Sequence, residues 1–283
     1  MIWFNEDFGA ESCAVAAKLG DGLADPYDVY PAADAEKAIR KHHTNDVYLN
    51  ALTSGKARAK VNPAGDWTKT RFPEAVAMTA GIMAACGSAL DDGEIHGTLS
   101  HSMHHADHVV GLWGCFLNGI ATVALELAET DIVILDMDAG TGGGTVRMIR
   151  HYDQAERVRQ YDLSTSMRDR YVPLTQFQNT QYPEIQHYQN FVTRMLQMVE
   201  RQQPQLVILS LGVDGMTTAN PKMSAGKLNQ RDRAILKGLA DLSVPTAVML
   251  GEGHVSTKID DDGLADLRAK TVYEINRSVK RLV

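Results

Sequence analysis

The stretch from Asp131 to Thr145, DIVILDMDAGTGGGT, constrains the fold more than any other part of the chain. Its apolar run lacks the polar–apolar alternation of a half-exposed strand. It therefore predicts a strand covered on both faces, which requires helices on either side and favours parallel pairing. Two carboxylates, Asp136 and Asp138, end the run, and a glycine-rich loop follows. Two residues apart in a regular strand, they share one side. The strand carries them to the rim of a sheet, and the loop lets backbone approach a ligand. This combination favours a metal or anion site over a plain turn.

The same pattern recurs in looser form. QLVILSLG at 205–212 reads as a second buried strand with Asp214 just beyond it. VPTAVML at 244–250 reads as a third, followed by Glu252 and His254. Helices are expected over 73–90, 114–130, 186–203 and 228–242, with a surface helix near 261–281. Pro73 suits a first helical turn, and Asp46 suits a helix start before YLNAL. His42 and His43 are expected to cap or flank a helix. The segment from Ser164 to Tyr182 has little periodicity and is expected to be a long surface loop over the crevice. Helices alternating with apolar strands predict one doubly wound α/β domain: three layers around a mostly parallel central sheet, spanning 1–283. In such sheets ligands bind beyond the carboxyl ends of the strands.

Composition narrows the function. A chain of 283 residues, 44% hydrophobic, can bury a sizeable core. A formal charge of -7 argues against nucleic-acid backbone binding. No uninterrupted apolar span approaches membrane length, so no membrane association is expected. The N-terminus shows no secretory signal pattern, and Cys13, Cys86 and Cys115 are too scattered for a disulfide framework. A reduced, cytoplasmic setting is the expectation, with a homo-oligomer or a protein partner left open.

Four clusters would converge under this topology: HSMHHADH at 101–108, Asp136 with Asp138, LGVDG with Asp214, and GEGH with Glu252 and His254. Catalytic zinc usually takes three protein ligands and keeps one open position. Asp138, Asp214 and His254 can supply such a set, although His254 can equally hydrogen-bond a loop. His104 and His105 are adjacent, yet in a loop both can approach one pocket. One can take a proton from water while the other protonates or polarises a leaving group. Asp136 is the candidate to orient His104. The TGGGT loop lacks the lysine and spacing of a phosphate-binding P-loop, and the full GxGxxG pattern is missing. No GxSxG nucleophile elbow is present.

The pieces RFPEAV, HHADH followed by GCFLN, LDMDAGTGGGT, LVILSLGVD and LGEGH occur in an order and spacing that resembles the histone deacetylase and acetylpolyamine amidohydrolase family, within the arginase-like fold. The resemblance covers most of residues 40–255; the first 40 residues show little of it. It implies hydrolysis of an acylated amine or small amide by metal-activated water, with zinc or another divalent metal. By motif, His104 and His105 match the histidine pair, Asp136 the carboxylate behind the first of them, and Asp138 and Asp214 two metal ligands. Asp136 and Asp162 fall near a monovalent-cation site, which implies potassium. The motif departs from the family at four places: Gly140 replaces a metal histidine, Gly143 the residue behind the second histidine, and His254 a tyrosine, while Trp113-Gly114 replaces a Gly-Phe tunnel pair. Two functions follow: a divergent metal-dependent amide hydrolase, or a noncatalytic ligand-binding or scaffold protein on the same fold.

Overall fold

Ile132, Val133, Ile134 and Leu135 are all fully buried, and they alternate between two separate cores. Val133 and Leu135 pack into one, Ile132 and Ile134 into the other. A strand buried on both faces must lie inside a sheet that carries helices on each side, and the computed structural model has that architecture. It describes residues 1–19, 25–26, 32–55, 70–127, 129–138, 142–162, 185–213, 224–251 and 259–279.

Seven strands among the described residues form one sheet: β1 (Ile2–Phe4), β2 (Asp25–Pro26), β3 (Ile95–His101), β4 (Ile132–Asp136), β5 (Val158–Asp162), β6 (Leu206–Leu211) and β7 (Thr246–Leu250). Their order is β2-β1-β3-β7-β6-β4-β5, and every neighbouring pair is parallel. The helices are α1 (Ala10–Lys18), α2 (Ala32–His42), α3 (Asp46–Ser54), α4 (Arg71–Asp92), α5 (Gly119–Glu126), α6 (Gly143–His151), α7 (Ile185–Gln202), α8 (Ala225–Asp241) and α9 (Asp261–Val279). Residues of α2 to α5 fill one core, and residues of α1, α7, α8 and α9 fill the other. The three-layer α/β expectation is met, and the first 40 residues contribute β1 and β2 to the same sheet.

Three expectations need correction. The helix expected over 114–130 begins only at Gly119, because the Asn118 carboxamide accepts the Ala121 N–H at 2.8 Å and caps it. The residues before it form a tight turn. Leu112 and Cys115 exchange two backbone bonds of 3.0 and 2.9 Å, and both central residues, Trp113 and Gly114, have positive φ. Trp113 is 70% exposed at the tip, so it fills no core. The C-terminal helix, expected on the surface, buries one full face through Leu264, Leu267, Arg268, Val272 and Ile275. Finally, the sequence predicts only β4, β6 and β7, whereas β1, β2, β3 and β5 also form. The interior of β3 carries His96, Thr98 and Ser100, which are buried but polar, so it lacks the apolar run that marks β4, β6 and β7. His42 and His43 do flank a helix, at the end of α2, and Asp46 opens α3 after the Asn45 cap. The segment 164–182 lies outside the described residues.

α4 is long and apolar enough to cross a membrane by length and composition, but half of that stretch is buried inside this fold. Its close approach to β3 depends on Gly81, where an added Cβ would strike the Ser100 hydroxyl, sit 2.5 Å from the Phe8 ring and lie 2.8 Å from Thr98 Oγ1. Gly87, on the same helix, has nothing within 4 Å of that position. Gly87→Ala should therefore gain about 0.5–1 kcal/mol in a urea melt from helix propensity. Gly81→Ala should lose about 1–2 kcal/mol net, because overpacking outweighs the same gain. Equal effects at the two sites would contradict this packing.

Candidate active site

The carboxyl ends of β3, β7, β6 and β4 lie side by side in the sheet, and the chain continues past each with backbone pairing intact. Ser102 N–H donates to Leu250 O (3.0 Å), Gly251 N–H to Leu211 O (3.0 Å) and Met137 N–H to Ser210 O (3.0 Å). Asp138 is thereby delivered into a slot between two strand ends. A Cβ on Gly212 or on Gly251 would collide with its carboxylate, so both positions need the bare backbone of glycine. The Asp138 Oδ2 atom accepts from Ser210 Oγ (3.3 Å) and Ser102 Oγ (3.4 Å).

Two buried arginines clamp the backbone that forms this slot. Arg231 of α8 donates to Met137 O (3.0 Å) and Gly212 O (2.8 Å), and its Nε is held by Asp232 (2.8 Å). Arg268 of α9 donates to Gly251 O (3.2 Å) and pairs with Glu11.

The histidine pair arrives from the loop after β3. Met103 has φ 49, a left-handed turn that sends the chain back over the sheet. His104 Nδ1 lies 2.5 Å from Asp136 Oδ2 and 3.4 Å from Asp138 Oδ2. A carboxylate only accepts, so the Nδ1 proton is fixed on His104. Its Nε2 faces His105 Nε2 at 3.2 Å, within hydrogen-bond reach. His104, Asp136 and Asp138 are each at most 1% exposed, and His105 is 9% exposed. One ligand atom from each of His104, Asp136 and Asp138 lies within 4.8 Å of the others, a grouping that can hold a metal ion.

The donor chemistry fits a divalent cation, since two buried carboxylates and an imidazole suit zinc and its neighbours. Asp138 is the better placed oxygen ligand, because the short bond to His104 engages Asp136. The sequence expected these four side chains to meet, and they do. Asp214, His254, Glu252 and Gly140 lie outside the described residues. Gly143 opens α6 and is buried. Asp162 pairs in register with Asp136 across β4 and β5, and its Oδ1 accepts from Gln160 Nε2 at 2.6 Å.

Asn118 is the supporting residue that sequence reasoning passed over. Its carboxamide nitrogen donates to His104 O (3.1 Å) and Ala106 O (2.7 Å) while its oxygen caps α5. An asparagine directly before an apolar helix is a readable cap signal, but its second task depends on a loop distant in sequence. The Asn118 N–H donates to His43 Nε2 at 3.2 Å. Burial first, and the neighbouring His42 second, push the His43 imidazole down to about 3.

The family model for the histone deacetylase domain matches residues 13–270. No curated protein matches the chain.

Asn118→Ala should lower stability by about 3 kcal/mol in a urea melt, combining a lost cap with two buried carbonyls left unpaired. A loss below about 1 kcal/mol would contradict its bridging role. His43 also sets a pH dependence. It accepts a proton near its ordinary value of about 6.5 when unfolded, but only near 3 when folded. Between those values the unfolded chain binds more protons, so stability from this group falls as pH drops from about 6.5 towards 3 and is complete above that window. His43→Gln should flatten the slope of unfolding free energy against pH in that window; an unchanged slope would contradict it.

Proposed function

Because the chain belongs to the histone deacetylase domain family, we propose that it is a divergent metal-dependent amide hydrolase acting on an acylated amine or small amide. The observation that carries this reading is the buried His104–Asp136 pair, with His105 and Asp138 beside it. Such an arrangement combines a proton-transfer pair with an anionic metal-ligand position.

Asp138 would hold the ion, with Asp214 and His254 as its further ligands. A divalent cation there supplies Lewis-acid polarisation of an amide carbonyl and a lowered water pKa. The remaining chemistry belongs to the chain. Asp136 holds the Nδ1–H tautomer of His104. His104 Nε2 lies 3.2 Å from His105 Nε2, close enough to steady that ring. His105, the more exposed ring, is the general base that takes the water proton and returns it to the leaving amine, while the His104–Asp136 pair beside it tunes its charge. His254 either serves as a ligand or donates a hydrogen bond to the developing oxyanion. Trp113 and Gly114 stand where the family has a Gly-Phe tunnel pair, so the exposed Trp113 turn reshapes the entry to the site.

One sequence observation favours a second reading. Gly140 stands where the family has a metal histidine, and loss of a ligand weakens affinity. A protein that keeps this fold to bind a ligand or a partner without turnover would tolerate that loss.

Metal content and turnover together separate the two readings. Zinc, iron or manganese bound one per chain, with release of free amine from acyl-lysine, acylpolyamine or small amide substrates, supports the hydrolase. His105→Ala should then lower kcat by about 10²–10⁴-fold with metal retained, whereas Asp138→Asn should reduce metal occupancy. Absence of binding for all three metals, with no amine released, would overturn the hydrolase in favour of the binding protein.

A further inference from the structure

Asp136 and Asp162 face each other in register across β4 and β5, a pair of buried carboxylates that invites a cation. Gln160 lies two residues before Asp162 and so shares its side of the strand. It is 4% exposed. Its Nε2 donates to Asp162 Oδ1 at 2.6 Å and to Gly142 O at 3.2 Å. A Cβ placed on Gly142 would run into both Gln160 Nε2 and Asp136 Oδ2, so the amide nitrogen and the Asp136 carboxylate flank one point.

We propose that the Gln160 carboxamide takes the place of a monovalent cation beside Asp136 and Asp162, so that this end of the sheet is closed without potassium. Alkali cations are bound by converging oxygen atoms. The group aimed at the Asp162 carboxylate and the Gly142 carbonyl is instead an N–H donor, which presents partial positive charge to both. Its orientation is fixed by chemistry: turning the amide over would set its oxygen against a carboxylate and a carbonyl. The second carboxylate is served separately, since Asp136 faces the His104 Nδ1–H at 2.5 Å. Each carboxylate thus has its own protein donor. Where the sequence pattern implied potassium near Asp136 and Asp162, these residues do not fit it. This inference is independent of any divalent ion at Asp138 and of the proposed hydrolysis.

Thermal unfolding of the full chain tests it in potassium chloride, sodium chloride and choline chloride at equal ionic strength. The wild-type Tm should be the same in all three. Gln160→Ala should melt several degrees lower in choline chloride and recover part of that loss selectively in potassium chloride. A wild-type Tm raised by potassium over both other salts would overturn the proposal, and this reading needs no variant. A Gln160→Ala protein as stable as wild type, or one whose loss no cation restores, would also overturn it.

Discussion

Charge buried at the carboxyl ends of the central strands is the constraint on which the rest of the structure depends. Asp136 and Asp138 are both essentially inaccessible, and an unpaired buried carboxylate is strongly unfavourable. The surrounding chain is arranged to meet that demand. His104 faces both carboxylates, two serine hydroxyls donate to Asp138, and glycines at 212 and 251 remove the side chains that would fill its slot. Arg231 and Arg268 fix the carbonyls of the same backbone from beneath. Removing any of these groups leaves a buried charge less satisfied, so the site and the stability of the sheet end are coupled.

Sheet order explains how residues so distant in the chain meet. β3, β7, β6 and β4 are neighbours in the sheet, although other elements separate them in sequence. Parallel pairing puts all their carboxyl ends on one edge. The loop after β3 then needs only a left-handed turn at Met103 and the Asn118 clamp to lay two adjacent imidazoles over Asp136. In a regular strand, His104 and His105 would point to opposite faces. The irregular loop instead brings both Nε2 atoms within 3.2 Å of each other.

The sequence made some of this legible and hid the rest for physical reasons. β4, β6 and β7 announce themselves because burial on both faces demands unbroken apolar runs. β3 does not, since Thr98 and Ser100 satisfy one another in the interior at 2.8 Å and need no apolar side chains. The sequence pattern starts α5 too early because apolar residues continue back through Cys115, Phe116 and Leu117 into a turn. α9 read as a surface helix because its mixed composition conceals a face of buried aliphatic residues together with the buried Arg268. At the site, His104, His105, Asp136 and Asp138 were recoverable from residue type and strand logic. Asn118 and Gln160 were not, since their partners lie on other elements and only the folded chain brings them together.

We propose that Asp138 sits in a preformed cation position beside the His104–His105 pair. Anomalous diffraction from crystals soaked in zinc or cobalt tests it most directly. One strong peak is expected about 2.0–2.2 Å from an Asp138 carboxylate oxygen. A fully occupied crystal lattice with no peak near Asp138, and the carboxylate still lodged between Gly212 and Gly251, would contradict it.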